Sequence, residues 1–97
     1  MGLKLRYARA ALRDIQTIRS YVAAGNPAAA ERVRLAILKT IQLLTEFPFL
    51  GRPGRRKGTR EKTVPRLPYL VLYRTGEDEL VILRVYHGAQ RPPQAFD

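Results

Sequence analysis

Two apolar stretches near the C-terminal end, Tyr69 to Thr75 and Glu79 to His87, set the limits on how this chain can fold. A short acidic turn, Gly76-Glu77-Asp78, separates them, so together they predict a β-hairpin. Each stretch is apolar at successive positions, the pattern of strands covered on both faces. The hairpin therefore belongs in the middle of a small sheet. Arg84, Tyr86 and His87 interrupt the second strand, where a purely structural strand has no use for them.

The remaining elements must cover that sheet. Leu3 to Tyr7 alternates apolar and basic residues, the period of a half-buried strand. A helix is predicted from about Ala8 to Ala24, with Ala8, Leu12, Ile15, Arg19 and Val22 spaced along one stripe that Ala11 and Ile18 widen. Gly25 suits a left-handed residue ending that helix, and Asn26-Pro27 suits the cap and first position of the next. The second helix runs from Pro27 to about Glu46 and stops before Pro48. Its buried face is Ala29, Ala30, Val33, Ala36, Ile37, Thr40, Ile41 and Leu44, while Leu35 and Leu38 fall on the other side. Residues 47–58 form a loop punctuated by Pro and Gly, and Thr59 to Val64 reads as a short edge strand. The order predicts an α+β fold of one domain: an N-terminal strand, an antiparallel helical hairpin, then three strands of a mostly antiparallel sheet.

Charge bears on what the surface touches. With 18 Lys+Arg against 8 Asp+Glu the net charge is +10, a field that attracts nucleic acid, a nucleoprotein or an acidic protein. It is concentrated: Arg52, Arg55, Arg56, Lys57, Arg60, Lys62 and Arg66 stand against one acid, Glu61, within a single stretch. Glycines and prolines keep the first half of that stretch open, so these side chains are expected to fan out around phosphates or carboxylates. No apolar run is long enough to cross a membrane and no signal-peptide core is evident, so a cytoplasmic protein without membrane contact is expected.

Candidate chemistry narrows quickly. With no cysteine and His87 as the lone histidine, no thiolate or multi-histidine metal site is expected, and no cofactor. Ser20, the lone serine, lies inside the first helix without a triad around it. Period-two alternation places Val81, Leu83, Val85 and His87 on one face of the last strand, the aliphatic trio being expected against the helices. Arg84 and Tyr86 then share the open face, where Arg60 or Lys62 is expected to complete a cationic, aromatic concavity. Metal-free RNA cleavage would need a base, an acid and cations for the phosphorane. Arg60, Lys62, Arg84, Tyr86 and His87 offer parts of that set, with His87 and Glu61 as the sole bases, so the set is incomplete. A lone histidine is more often a hydrogen-bonding structural residue.

In this order and spacing, several segments resemble the RelE/ParE superfamily of bacterial type II toxin–antitoxin toxins, the ParE branch above all. They are Asn26-Pro27-Ala28-Ala29-Ala30, Pro48 with Gly51-Arg52-Pro53-Gly54, Thr59-Arg60-Glu61, Tyr69 to Arg74, and Val85-Tyr86-His87-Gly88-Ala89-Gln90-Arg91. One departure is Ala8-Arg9-Ala10-Ala11, where members often have Ser-Pro-x-Ala. The resemblance implies a small toxin silenced in a hetero-oligomeric complex by a cognate antitoxin, which also supplies any operator DNA binding. Leu35 and Leu38 are the candidate anchors for an acidic antitoxin. ParE-like members poison DNA gyrase by binding it, whereas RelE-like members cleave mRNA on the ribosome. The tail after His87 lacks the basic, aromatic end of the ribonuclease branch, so ribonuclease roles carry over only to Arg60 and Arg84, with His87 a weaker candidate. The target-binding candidates are Arg52, Arg55, Arg56, Lys57, Arg60, Lys62, Arg84 and Tyr86. A non-toxic, RNA-binding basic domain is the third alternative.

Overall fold

The computed structural model of the protein describes residues 2–90. Along the chain come β1 (Lys4–Tyr7), α1 (Arg9–Gly25), α2 (Pro27–Glu46), β2 (Arg52–Pro53), β3 (Arg60–Thr63), β4 (Tyr69–Thr75) and β5 (Glu79–His87). The strands form a five-stranded sheet in the order β1-β5-β4-β3-β2. The predicted hairpin, β4 and β5, is its centre. All pairings are antiparallel except that of β1 with β5, which sets Leu5 beside Leu80 and Tyr7 beside Ile82. No helix among the described residues is long and apolar enough to cross a membrane.

The helical hairpin turns at one residue. Asn26, in an extended conformation (φ −159°, ψ 96°), ends α1 through its N–H to the Val22 carbonyl and caps α2 by accepting from the Ala29 N–H at 3.0 Å. Pro27 fits the first turn of α2 because its missing N–H would have had no helical partner. Gly25 is therefore not the expected left-handed terminator: it is the last residue of α1, and Gly58 is the sole glycine with positive φ among the described residues. Helix α1 starts at Arg9 without a side-chain cap, as expected from Ala8 in place of a serine.

The buried face of α2 is as predicted, with Val33, Ile37, Ile41 and Leu44 packed on Val71, Tyr73, Leu80, Ile82 and Val85 of the sheet. The stripe on α1 is rotated from the expected one. Ala10 and Ala11 are buried and Ile15, Ile18 and Val22 are half-buried, while Leu12 and Arg19 are exposed. The cause is the parallel β1 strand, which delivers the chain into α1 beside β5, where the Ala8 N–H bonds the Ile82 carbonyl.

The largest departure lies in β5. Leu72 pairs with Arg84 but the next residue, Tyr73, pairs with Ile82, so Leu83 is one residue more than β4 has to match. This β-bulge resets the alternation. Leu80, Ile82 and Val85 face the helices, whereas Val81, Leu83 and Tyr86 join Leu70 and Leu72 in a second apolar layer on the opposite face. The expected trio is thus split, and of it Val85 alone reaches the helical core.

The loop before β3 is more ordered than its composition suggests. Arg52 and Pro53 form β2 against Glu61 and Arg60. Tyr73, fully buried, extends its hydroxyl under this segment, donating to the Pro48 carbonyl at 2.8 Å and accepting from the Gly51 N–H at 2.9 Å. A Cβ on Gly51 would come within 2.5 Å of the Tyr73 hydroxyl and 2.7 Å of the Glu61 carbonyl. Gly51→Ala is therefore expected to lower unfolding free energy by about 1–3 kcal/mol through overpacking. Gly25→Ala, with nothing within 4 Å of the added carbon, is expected to raise it by about 0.5 kcal/mol. Urea unfolding of the two variants checks both signs.

Candidate functional site

Arg84 follows the bulge in β5. Instead of lying on the open face, its guanidinium reaches α1 and forms a two-point contact with Asp14, Nε to Oδ2 at 2.7 Å and Nη2 to Oδ1 at 2.9 Å. The same Oδ2 accepts the Val85 N–H at 2.9 Å. Register explains this arrangement. Strand β1 ends opposite Ile82, and beyond that point Asp14 takes over the edge of β5 that β1 no longer covers. The carboxylate serves as both a strand partner and a counterion, with both side chains largely sheltered.

His87 lies on the same side, its ring edge-on to Tyr69 with centroids 5.8 Å apart. Its Nδ1 accepts the Ala89 N–H at 3.0 Å and its own N–H donates to Gln90 Oε1 at 2.9 Å, so the residue folds the end of β5 into a turn. A cavity of about 260 Å³ opens here, lined by Asp14, Thr17, Arg84, His87 and Gln90 among others. The structural role favoured for His87 accounts for these contacts. Arg91, the last residue of the resembling segment, and the tail beyond it lie outside the described residues.

On the open face, Tyr86 and Glu61 are both buried at 6% exposure and form the centre of a small polar network. Arg52 donates to Glu61 Oε1 at 3.1 Å. Burial is the main cause that raises the pKa of the Tyr86 phenol. The charge of Glu61 and a side-chain hydrogen bond to it raise it further, against weaker opposing fields from Arg55 and Arg52. Burial first, and Glu61 second, thus favour the neutral phenol. Such a group neither accepts nor releases a proton readily near neutrality.

The β3 cations sit on the other face. Arg60 pairs with Tyr73 and Lys62 with Val71, and cross-strand partners share a side, here the helical one. Arg60 donates to the Gly51 carbonyl at 2.8 Å and lies 5.0 Å over the Phe49 ring. Lys62 bonds the adjacent Thr63 carbonyl. The expected concavity joining Arg60 or Lys62 with Arg84 and Tyr86 does not form. Between Arg60 and Arg84 runs β4, whose Tyr73 and Val71 are sealed under α2, and Tyr86 is on the reverse of the sheet.

What stays outward is the tip of the β2–β3 hairpin, where Arg55, Arg56 and Lys57 are exposed beside Arg52. The tip is tied, not open: Thr59 donates through N–H and hydroxyl to the Arg56 carbonyl, and the Gly54 N–H bonds the Thr59 carbonyl. Gly58, at φ +83°, supplies the conformation this turn requires. On the helical side a groove of about 490 Å³ runs between Tyr7, Leu12, Ile15 and Leu38, with Arg19 and Arg34 on its rim. Leu38 is in it; Leu35 is exposed on the outer surface of α2.

A profile of the ParE toxin of the type II toxin–antitoxin system parDE matches residues 5–92. The chain belongs to this family. It is 40% identical over 93 residues to the protein Y4kP of Sinorhizobium fredii, covering 96% of each. Among solved structures, a chain of the chromosomal ParDE system from P. aeruginosa superposes with a TM-score of 0.79 at 27% identity, over 89% of this chain and 96% of that one. A chain of the RelBE2 toxin–antitoxin complex of Mycobacterium tuberculosis gives 0.66 at 28% identity, over 90% and 99%. The helical hairpin on a mostly antiparallel five-stranded sheet is thus a RelE/ParE-type fold.

Sequence reasoning on this ParE-family chain missed Asp14, although it is the lone acid of α1 and stands among arginines. A charge that isolated on a helix facing a strand with an interior arginine was a signal. Either Asp14→Asn or Arg84→Ala is expected to cost about 1.5–3 kcal/mol, as for hydrogen bonds to charged groups, and the double variant little more. Denaturant unfolding of the four-member cycle measures the coupling. At alkaline pH the phenol of Tyr86 is raised relative to the unfolded chain, so its contribution to stability is complete below about pH 10 and is lost above it. Glu61→Gln is expected to bring Tyr86 ionisation to lower pH, read as a difference titration against Tyr86→Phe.

Proposed function

We propose that this protein is a toxin that inhibits DNA gyrase by direct binding in the cytoplasm and is neutralised by an acidic antitoxin. The observation that carries this reading is the engagement of the groups that RNA cleavage would need. Arg84 is held by Asp14, Tyr86 by Glu61, and Arg60 by a loop carbonyl on the far side of β4. A protein that works by contact needs no mobile acid or base, and the exposed cations of the hairpin tip, Arg55, Arg56 and Lys57 with the Glu61-paired Arg52 beside them, suit an acidic protein surface. The match to the ParE branch points the same way.

The antitoxin follows from the company the fold keeps, since the ParDE and RelBE2 structures are both of toxin–antitoxin systems. Its docking place here is the α1–α2 groove, where Leu38 beside Leu12 and Tyr7 offers an apolar floor and Arg19 and Arg34 offer a basic rim. Leu35 extends that surface. An acidic amphipathic helix is the matching ligand.

Purified protein is expected to block gyrase supercoiling while leaving cell-free translation intact. The opposite result, translation halted with mRNA cleaved on the ribosome, would establish the ribonuclease alternative instead. A harmless protein with neither effect would favour plain RNA binding. Leu35→Asp with Leu38→Asp is expected to weaken antitoxin binding about tenfold or more by removing buried apolar anchors. Calorimetric titration checks this, with retained supercoiling inhibition as the control.

A further inference from the structure

A further exposed apolar surface among the described residues lies outside the α1–α2 groove. At the end of α2 and the turn after it, Leu43, Phe47, Phe49 and Leu50 are 42%, 58%, 70% and 49% exposed. Isolated exposed hydrophobes are ordinary, but four within eight residues make a patch, and patches mark interaction sites.

The turn is built to present them. The Leu50 N–H closes it on the Phe47 carbonyl at 3.1 Å, with Pro48 at the position that favours its fixed φ. From below, the Tyr73 hydroxyl takes the Pro48 carbonyl and the Gly51 N–H. From the side, Arg60 takes the Gly51 carbonyl at 2.8 Å and the Phe49 carbonyl at 3.4 Å. The carbonyls of Phe47, Pro48, Phe49 and Gly51 are therefore all satisfied from within. Covering the patch would strip water from side chains and leave few backbone groups unpaired. Because the turn is already fixed, little conformational entropy remains to be lost on docking.

We infer that Phe47, Phe49 and Leu50, with Leu43, form the apolar anchor that seats this toxin on its protein target, and that the neighbouring basic hairpin tip is its rim. The inference rests on the proposed function, in that the target is taken to be a protein. The fitting partner is an apolar groove bordered by acidic side chains, because Arg52, Arg55 and Lys57 lie directly downstream of the patch and are exposed. A nucleic acid fits less well. Two of the four anchors are leucines, which do not stack on bases as aromatic rings do, and Arg60, the cation over Phe49, is committed to two carbonyls.

The test compares wild type with Phe47→Ser/Phe49→Ser, whose side chains are outside the core, using thermal unfolding as the fold control. The variant is expected to need about tenfold more protein for half-inhibition of gyrase, as for loss of a central anchor, with antitoxin affinity unchanged. A variant as potent as wild type overturns the anchor while leaving gyrase as the target. Parallel loss of antitoxin affinity also overturns it, assigning the patch to the antitoxin. If wild type leaves gyrase untouched, the functional reading fails separately, and growth arrest at matched expression judges the anchor. Arrest relieved by the substitution upholds it; arrest unchanged overturns it. Wild type binding to phosphatidylglycerol vesicles, abolished in the variant with arrest and inhibition unaltered, would overturn it in favour of a membrane surface.

Discussion

One extra residue in β5 organises this molecule. Strand β5 is the only element bonded to both β1 and β4, and along most of its length it must bury side chains on two faces. Strict alternation would have turned Arg84 into the layer occupied by Leu80 and Ile82, and Val85 out of it. The bulge at Leu83 and Arg84 avoids that conflict: Val85 returns to the helical core and the arginine leaves the sheet toward α1. A bulge also bends and twists a strand locally. Here it falls where β1 stops, so the strand edge and the arginine arrive together at Asp14. A single carboxylate then finishes the sheet edge, neutralises a sheltered cation and ties the helical hairpin to the central strand.

That dependence explains what was legible in the amino-acid sequence. The β4–β5 hairpin, both helices and the buried face of α2 could be read because long periodic patterns, Asn26-Pro27 and Pro48 all point one way. The side-chain directions along β5 could not: Leu80 to Leu83 lie on the faces opposite to those expected while Val85 and Tyr86 lie as expected, because a one-residue insertion between them switches the alternation and leaves no mark on composition. Leu12 misled for a related reason: helical periodicity gives the spacing of a stripe but not the neighbour that rotates it. β2 was missed because two residues carry no period, and its pairing is enforced from outside by Tyr73 and Glu61.

The same shift separates residues that looked like one site into three environments. Arg84 and His87 are beside α1, Tyr86 is with Glu61 on the reverse face, and Arg60 and Lys62 are on the helical side beyond β4. Each interior polar group has a partner whose loss would leave a sheltered charge or donor unsatisfied, so these contacts act first on stability. Arg84, Tyr86 and His87 each tie strand β5 to a neighbouring element or turn.

Charge and anchoring then divide the work of recognition on physical grounds. A net charge of +10 acts over roughly a Debye length of about 8 Å at physiological salt, enough to steer an acidic partner but too diffuse to select one. Selection needs short-range fit, and short-range fit is strongest where rigid apolar groups displace water. The Phe47–Leu50 turn supplies such groups through Tyr73, a core residue that spends its hydroxyl on a surface loop. A phenylalanine would fill the core as well, so the hydroxyl serves the loop, and the exposed apolar patch is the feature that this investment of a buried polar group supports.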